Sequence, residues 1–221
     1  MVRKDYLLRV IEQFAAFLEK ILFHKQAGDY AGAEQQIDAT VKTLVGLDPE
    51  ILYAMGTDQI LSTIIGDAKF DVDLCLVIAE LYNQKADVAR AGNAEKLEIE
   101  CLEKSFLLYA EAIRHGCDNR SYRDRILALI ASLRQHEVTH ILRLKFMWYY
   151  EFCGLFAKAE DVLYELVESG QESIKNIGME FYRRLIDKED VLLAVGNLPR
   201  NEVEEGYLYF SKMAGSTIGT T

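Results

Sequence analysis

Residues 136–140 contain a short pattern whose residue types and spacing could support catalysis. His136 and His140 are four residues apart, and Glu137 follows the first histidine. On one continuous helix, imidazoles at positions i and i+4 face the same side and can bind Zn²⁺, while the glutamate acts as a general base on a zinc-bound water. The pattern therefore allows a zinc-dependent hydrolase with His136 and His140 as ligands and Glu137 as the base.

The surrounding residues favour a different interpretation, a solvated junction between two helices. Arg143 and Phe146 stand where longer zinc motifs continue with a glycine and a third histidine. Glu160 and Glu165 could be nominated as a third ligand, but no motif surrounds them. The segment before the pattern is polar, and Thr139 could cap the next helix. We therefore predict no catalytic residue, no metal and no cofactor, and the zinc-dependent hydrolase is the alternative.

An aromatic-rich helix end offers a binding surface rather than a catalytic one. Its candidate partner-binding residues are Trp148, Tyr149, Tyr150 and Phe152. Aromatic side chains at consecutive positions cannot all face one side of a helix. The outward members could form the floor of a groove for a partner peptide. The preferred interpretation is structural, because the internal helices of a helical array are buried on two faces.

Proline content and apolar spacing indicate which elements carry these residues. The chain has 221 residues and only 2 prolines, and helix interiors exclude proline. Both prolines, Pro49 and Pro199, fall where we expect helices to begin. Apolar residues recur at helical spacing from the start of the chain, at Leu7, Ile11, Phe14, Leu18 and Leu22. The sequence predicts an all-α protein with about nine or ten antiparallel helices.

Three local boundaries are also predicted. One irregular helix should run from about Pro49 to Ile65, with Gly56 inside it, and Thr57 and Asp58 offer an alternative helix start. Residues 66–70 should form a loop, and strands are not expected because no stretch alternates apolar and polar residues. Another helix should begin near Ser121, where residues 121–124 are similar to a capping box.

Two predicted helix-to-helix turns share a glycine, an aromatic residue two positions later and an alanine three positions after that. These residues are Gly28, Tyr30 and Ala33 in the first turn, and Gly154, Phe156 and Ala159 in the second. The pattern resembles the tetratricopeptide repeat, which implies antiparallel helical hairpins stacked as a right-handed superhelix. The two turns are not separated by a multiple of the family's period of about 34 residues. Ile21 and Met147 also occupy positions where the family has small residues, so the resemblance implies an irregular array.

A second resemblance covers most of the chain. Several of its stretches are similar to an uncharacterised bacterial cytosolic family: residues 5–13, 149–151, 157–161, 198–199 and 202–206. This resemblance implies the helical fold and carries no activity, substrate or cofactor.

Charge and cysteine content limit the partners and the compartment. The formal net charge is -10 and the isoelectric point is about 5.0, which disfavours nucleic acid and anionic membranes as partners. The sequence has no apolar run of the roughly 18 residues that a membrane span requires. Its 4 cysteines are scattered without close pairs, which is typical of a reduced cytoplasmic protein.

These observations together predict a single helical-repeat domain over residues 1–213 and a flexible C-terminal tail over residues 214–221. The expected function is non-enzymatic: an interaction or scaffold module that binds a protein or peptide partner, or that self-associates. A helical regulator that senses a small molecule, with a pocket between splayed hairpins, is a further alternative.

Overall fold

The computed structural model describes residues 2–66, 69–170 and 173–215, with side chains for residues 13–65, 70–170 and 173–213. Its α-helices are α1 (Val2–Gln26), α2 (Tyr30–Thr40), α3 (Pro49–Ala54), α4 (Thr57–Ile64), α5 (Val72–Ala91), α6 (Glu95–Arg114), α7 (Asn119–Leu133), α8 (His140–Phe152), α9 (Phe156–Glu168), α10 (Ile174–Ile186), α11 (Asp190–Val195) and α12 (Arg200–Gly215). A π-helical turn, Val41–Val45, extends α2. The all-α prediction is confirmed.

The chain divides into two compact units, unit 1 from Met1 to Glu137 and unit 2 from Val138 to Thr221. In unit 1, α5 and α6 form the most extensive helix pair, α1 and α2 pack on each other and on α5, and α7 packs on α6. In unit 2, α8 pairs with α9, α10 pairs with α12, and α9 also contacts α10. The single domain over residues 1–213 and the stacking as a superhelix stay predictions. The predicted tail begins inside α12, and residues 216–221 of it lie outside the described residues.

Side-chain caps and prolines determine where several helices begin. Pro49 is the first residue of α3, behind the N-cap Asp48, whose carboxylate accepts a hydrogen bond from Glu50 N at 3.1 Å. Pro199 immediately precedes α12. Proline suits a helix start because its missing N–H has no partner within the helix there. Both prolines therefore stand where the sequence predicted.

Two of the predicted boundaries are wrong in detail. The expected helix from Pro49 to Ile65 is two helices, because Gly56 is extended (φ -71°, ψ 161°) and acts as the N-cap of α4. Its N–H donates to Gln59 Oε1 at 2.8 Å. The helix α4 begins at Thr57, so the alternative start is confirmed. The next segment contains a two-residue antiparallel ladder, β1 (Ile65–Gly66) with β2 (Lys69–Phe70), where only a loop was expected.

The start of α7 also differs from the prediction. The helix begins at Asn119 rather than near Ser121. Asp118 is the N-cap, and its carboxylate accepts a hydrogen bond from Arg120 N at 3.1 Å. A carboxylate that binds the first free N–H groups of a helix also interacts favourably with the helix dipole, so Asp118 starts the helix before the predicted capping box.

The residues that resemble a repeat lie at the turns before α2 and α9. Gly28 and Gly154 have φ of +73° and +71°, a left-handed conformation that glycine adopts without steric cost. Ala33 and Ala159 are fully buried, and Phe156 is buried as well. Tyr30 is 39% exposed. The glycines therefore allow the turns, and the alanines lie where α2 and α9 contact their neighbours.

The N-cap of α2 predicts a pH-dependent contribution to stability. Asp29 accepts hydrogen bonds from Gly32 N at 2.9 Å and, through its other oxygen, from His24 Nδ1 at 2.8 Å. These bonds hold the pKa of the Asp29 carboxyl below its usual value. A carboxyl with a lowered folded-state pKa stabilises the protein above its unfolded pKa and loses this effect as the pH falls through the folded value.

We therefore expect Asp29→Ala to have a lower Tm than the parent protein at neutral pH, and the difference to shrink as the pH falls through the lowered folded-state pKa of Asp29. Thermal unfolding followed at several pH values measures this. Glu19→Ala, in the exposed middle of α1, is the control and should show no such convergence. A Tm difference for Asp29→Ala that persists at low pH would contradict the assignment.

Candidate functional site

The histidines of the possible zinc site do not lie on one helix. The helix α7 ends at Leu133 and α8 begins at His140, so His136 and Glu137 belong to the connection between them. Thr139 is the N-cap of α8, and its hydroxyl accepts a hydrogen bond from Leu142 N at 3.2 Å. The i, i+4 relation that brings two imidazoles to one side exists only on a continuous helix.

Neighbouring carboxylates do not complete a metal site either. Among the described residues, no group of three or more histidine, cysteine, aspartate or glutamate side chains is placed to hold a metal ion. His136 Nδ1 lies 3.3 Å from Glu95 Oε1. Glu160, one of the glutamates nominated as a third ligand, accepts a hydrogen bond from the hydroxyl of Tyr182. The zinc-hydrolase alternative therefore lacks the helix on which it depends.

Two cysteines of unit 1 are buried in its core. Burial raises the pKa of the Cys75 thiol to about 12 and that of Cys101 to about 11. The Sγ–H of Cys75 donates to the carbonyl oxygen of Leu108 at 3.2 Å. Because the thiolate is the nucleophilic form, both side chains behave as small apolar groups at neutral pH.

A buried polar cluster, here called the Glu80 network, connects four helices of unit 1. Glu80 on α5 is only 2% exposed and accepts hydrogen bonds from Tyr109 Oη at 2.5 Å, from Gln84 Nε2 at 2.6 Å, and from the guanidinium of Arg125. Lys25 Nζ of α1 donates to Gln84 Oε1 at 2.6 Å. A buried carboxylate needs such partners to offset its lost hydration, so the network has a structural role.

The candidate partner-binding aromatic residues differ in exposure. Tyr149 and Tyr150 are buried, at 0% and 7% exposure. Trp148 is half-buried and stacks on Phe152, with ring centroids 5.6 Å apart and an angle of 22° between the rings. Phe152 is 52% exposed. Only Trp148 and Phe152 are therefore accessible to a partner.

Sequence reasoning missed a second exposed apolar group, on the short helix α11. Val191, Leu192 and Val195 are 70%, 52% and 79% exposed, while Leu193 is fully buried. Thus one side chain anchors the helix, and three apolar side chains face solvent. Six residues span less than two turns, so helical periodicity could not separate the inward position from the outward ones.

The end of α11 packs against the turn between α8 and α9. Ala157 N donates to Gly196 O at 3.1 Å. A methyl group on Gly196 would lie 2.7 Å from Gly154 O, so the two backbones are in close contact. Along the sequence, the exposed Phe152 lies two residues before Gly154, and the exposed Val195 lies one residue before Gly196. Both side chains therefore lie beside this contact. We call Trp148, Phe152, Val191, Leu192 and Val195 the unit 2 apolar surface.

Comparisons with known proteins identify a family and no activity. No curated protein and no solved structure shows a significant match to the chain. None of the helices that the structure describes is long and apolar enough to cross a membrane. A model of the family of unknown function DUF6483 matches residues 1–215, almost the whole sequence. The protein therefore belongs to DUF6483.

Proposed function

We propose that this protein is a non-enzymatic helical module that binds a partner protein through the unit 2 apolar surface. The observation that carries the proposal is the exposure of three apolar side chains on the six-residue helix α11. Burying a valine or leucine side chain is worth roughly 1.5–3 kcal/mol. A cluster of such side chains in water is typical of a protein-protein contact.

The charges beside this surface favour a basic partner. Asp187, Glu189 and Asp190 are exposed at the start of α11. Lys188 lies among them and Arg200 pairs with Asp190, which leaves an excess of one negative charge. In a symmetric dimer through α11, both copies would bring the same excess of negative charge to one interface, and like charges at an interface oppose association. We therefore propose a different protein as the partner, with an apolar helix flanked by lysine or arginine.

Location and architecture complete the proposal. All 4 cysteines lie in the described part of the chain and none of them forms a disulfide, which is typical of a reducing compartment, so we propose the bacterial cytoplasm. The left-handed glycine turns before α2 and α9 support a tetratricopeptide-like stacking of the hairpins.

The test uses a defined probe, a labelled amphipathic peptide of leucine and lysine at helical spacing. We expect saturable binding to the full chain, measured by fluorescence anisotropy, and an affinity reduced by about tenfold or more in the double variant Val191→Ser/Val195→Ser, which removes the apolar contact without changing the charge. Both side chains are exposed, so the variant should fold. The matched control is Leu208→Ser on α12, because Leu208 is 56% exposed and lies outside the surface.

Three results would overturn the proposal. The first is equal binding of a leucine–glutamate peptide, since this would remove the role of charge. The second is equal affinity of the double variant and the Leu208→Ser control. The third is a dimer of the parent protein that Val191→Ser/Val195→Ser dissociates, because the occupant of the surface would then be a second copy.

A further inference from the structure

A groove in unit 1 lies between the start of α2, the end of α5 and the start of α6. It encloses about 340 Å³ and is lined mainly by small residues, Ala31, Ala89, Ala91, Gly92 and Ala94, together with Val88. Tyr30 and Leu97 stand at its exposed rim, at 39% and 38% exposure. The volume is within the range of small-molecule sites, and the small side chains leave the space open.

One ion pair, between Lys85 and Glu34, also lines this apolar groove. Lys85 Nζ lies 3.0 Å from Glu34 Oε1 and 4.0 Å from the centroid of the Tyr53 ring. The lysine side chain is only 7% exposed, whereas the glutamate side chain is 48% exposed. The cation is therefore fixed inside the protein, and its carboxylate partner reaches it from the solvent side.

Because Lys85 is buried and Glu34 is half-exposed, the carboxylate of Glu34 can be exchanged for the carboxylate of a ligand. A buried ammonium group needs an anionic partner, because burial of an unpaired charge is costly. A ligand carboxylate at the position of Glu34 Oε1 would satisfy Lys85 equally well. The displaced Glu34 side chain would return to water, where a carboxylate is well hydrated, so the exchange leaves no buried charge unpaired.

We propose that the groove binds a small organic monocarboxylate with an apolar tail. Its carboxylate pairs with Lys85 in place of Glu34, and its tail covers the alanines between Tyr30 and Leu97. A single lysine matches a single negative charge. A dianion would bring a second negative charge, and Lys85 is the one cationic side chain among the residues that line the groove. This site is separate from the unit 2 apolar surface and does not depend on it.

The test compares octanoate with octanol, which has the same chain length and no charge. Isothermal titration of the full chain should give octanoate an affinity about tenfold or more above that of octanol. Glu34→Gln removes the competing carboxylate and should raise the affinity for octanoate several-fold. Glu34 is half-exposed, so this variant should fold.

Two lysine variants provide the matched comparison. Lys85→Met should remove the preference for octanoate over octanol. Lys104→Met, which changes another buried lysine that does not line the groove, should preserve that preference. No binding of octanoate, equal affinity for octanol, or an unchanged or lower octanoate affinity in Glu34→Gln would each overturn the proposal. The comparison of octanoate with octanol and the Glu34→Gln variant still test the proposal if Lys85→Met does not fold.

Discussion

Replacing Glu80 with alanine should lower the free energy of unfolding by about 3–5 kcal/mol, the usual cost of removing one partner from a buried ion pair. The Glu80 side chain is 3% exposed and accepts hydrogen bonds from Tyr109, Gln84 and Arg125. Its removal leaves the buried hydroxyl and amide without their acceptor. Arg125 is 44% exposed and can turn towards water, so we expect the lower half of that range. Equilibrium unfolding in urea measures the change.

Two further variants distinguish the Glu80 network from an ordinary ion pair. Glu80→Gln keeps the shape and one carbonyl acceptor, so it should cost less than Glu80→Ala. Glu95→Ala removes a carboxylate that is 74% exposed and lies 3.3 Å from His136, and it should cost about 1 kcal/mol or less. If Glu80→Ala lowers the free energy of unfolding as little as Glu95→Ala does, the network does not stabilise unit 1.

Replacing Gly206 with alanine should destabilise the contact between α10 and α12 by about 1–3 kcal/mol, the usual cost of overpacking a core. A methyl group on Gly206 would lie 2.2 Å from Cζ of Tyr182. The arrangement is reciprocal, because a methyl group on Gly178 would lie 2.3 Å from Cδ1 of Phe210. Both rings are fully buried, so they cannot move aside into solvent. The helices must separate instead, which outweighs the gain of about 1 kcal/mol in helix propensity.

The reciprocal geometry also predicts how substitutions at Gly178 and Gly206 combine. One separation of α10 from α12 relieves both clashes, so Gly178→Ala/Gly206→Ala should cost less than the sum of the single variants. Gly92→Ala is the control, because the atoms nearest to its methyl group would be 3.6 Å away, and it should be neutral. Unfolding in urea gives all four values. Full additivity, or an unaffected Gly206→Ala, would show that the helices do not meet at these glycines.

Helical content and several helix boundaries could be predicted because they depend on local chemistry. Pro49 and Asp48 identify the start of α3 from their own backbone and capping preferences. The glycines at the turns before α2 and α9 carry the same kind of local information. Near Ser121 two local signals competed, and the cap at Asp118 began the helix three residues before the predicted one. Local sequence rules therefore predict the presence of a helix more reliably than they predict its first residue.

The candidate sites could not be predicted because they depend on contacts between distant segments. Lys85 and Glu34 are 51 residues apart, and neither belongs to a recognisable motif. Gly178 and Phe210 meet only after α10 and α12 pack. The histidines at positions 136 and 140 show the reverse case. Their spacing has a chemical meaning only on a helix, and α7 has already ended at Leu133, before His136, while α8 begins only at His140.

The stacked Trp148 has a consequence for every stability measurement on this protein. It is the only tryptophan in the sequence, and it lies in unit 2. Its fluorescence therefore reports the unfolding of unit 2, whereas far-ultraviolet circular dichroism sums the helices of both units. The Gly206 variants are best followed by emission and the Glu80 variants by dichroism. Two transition curves from one sample would also reveal whether the chain unfolds in one step or in two.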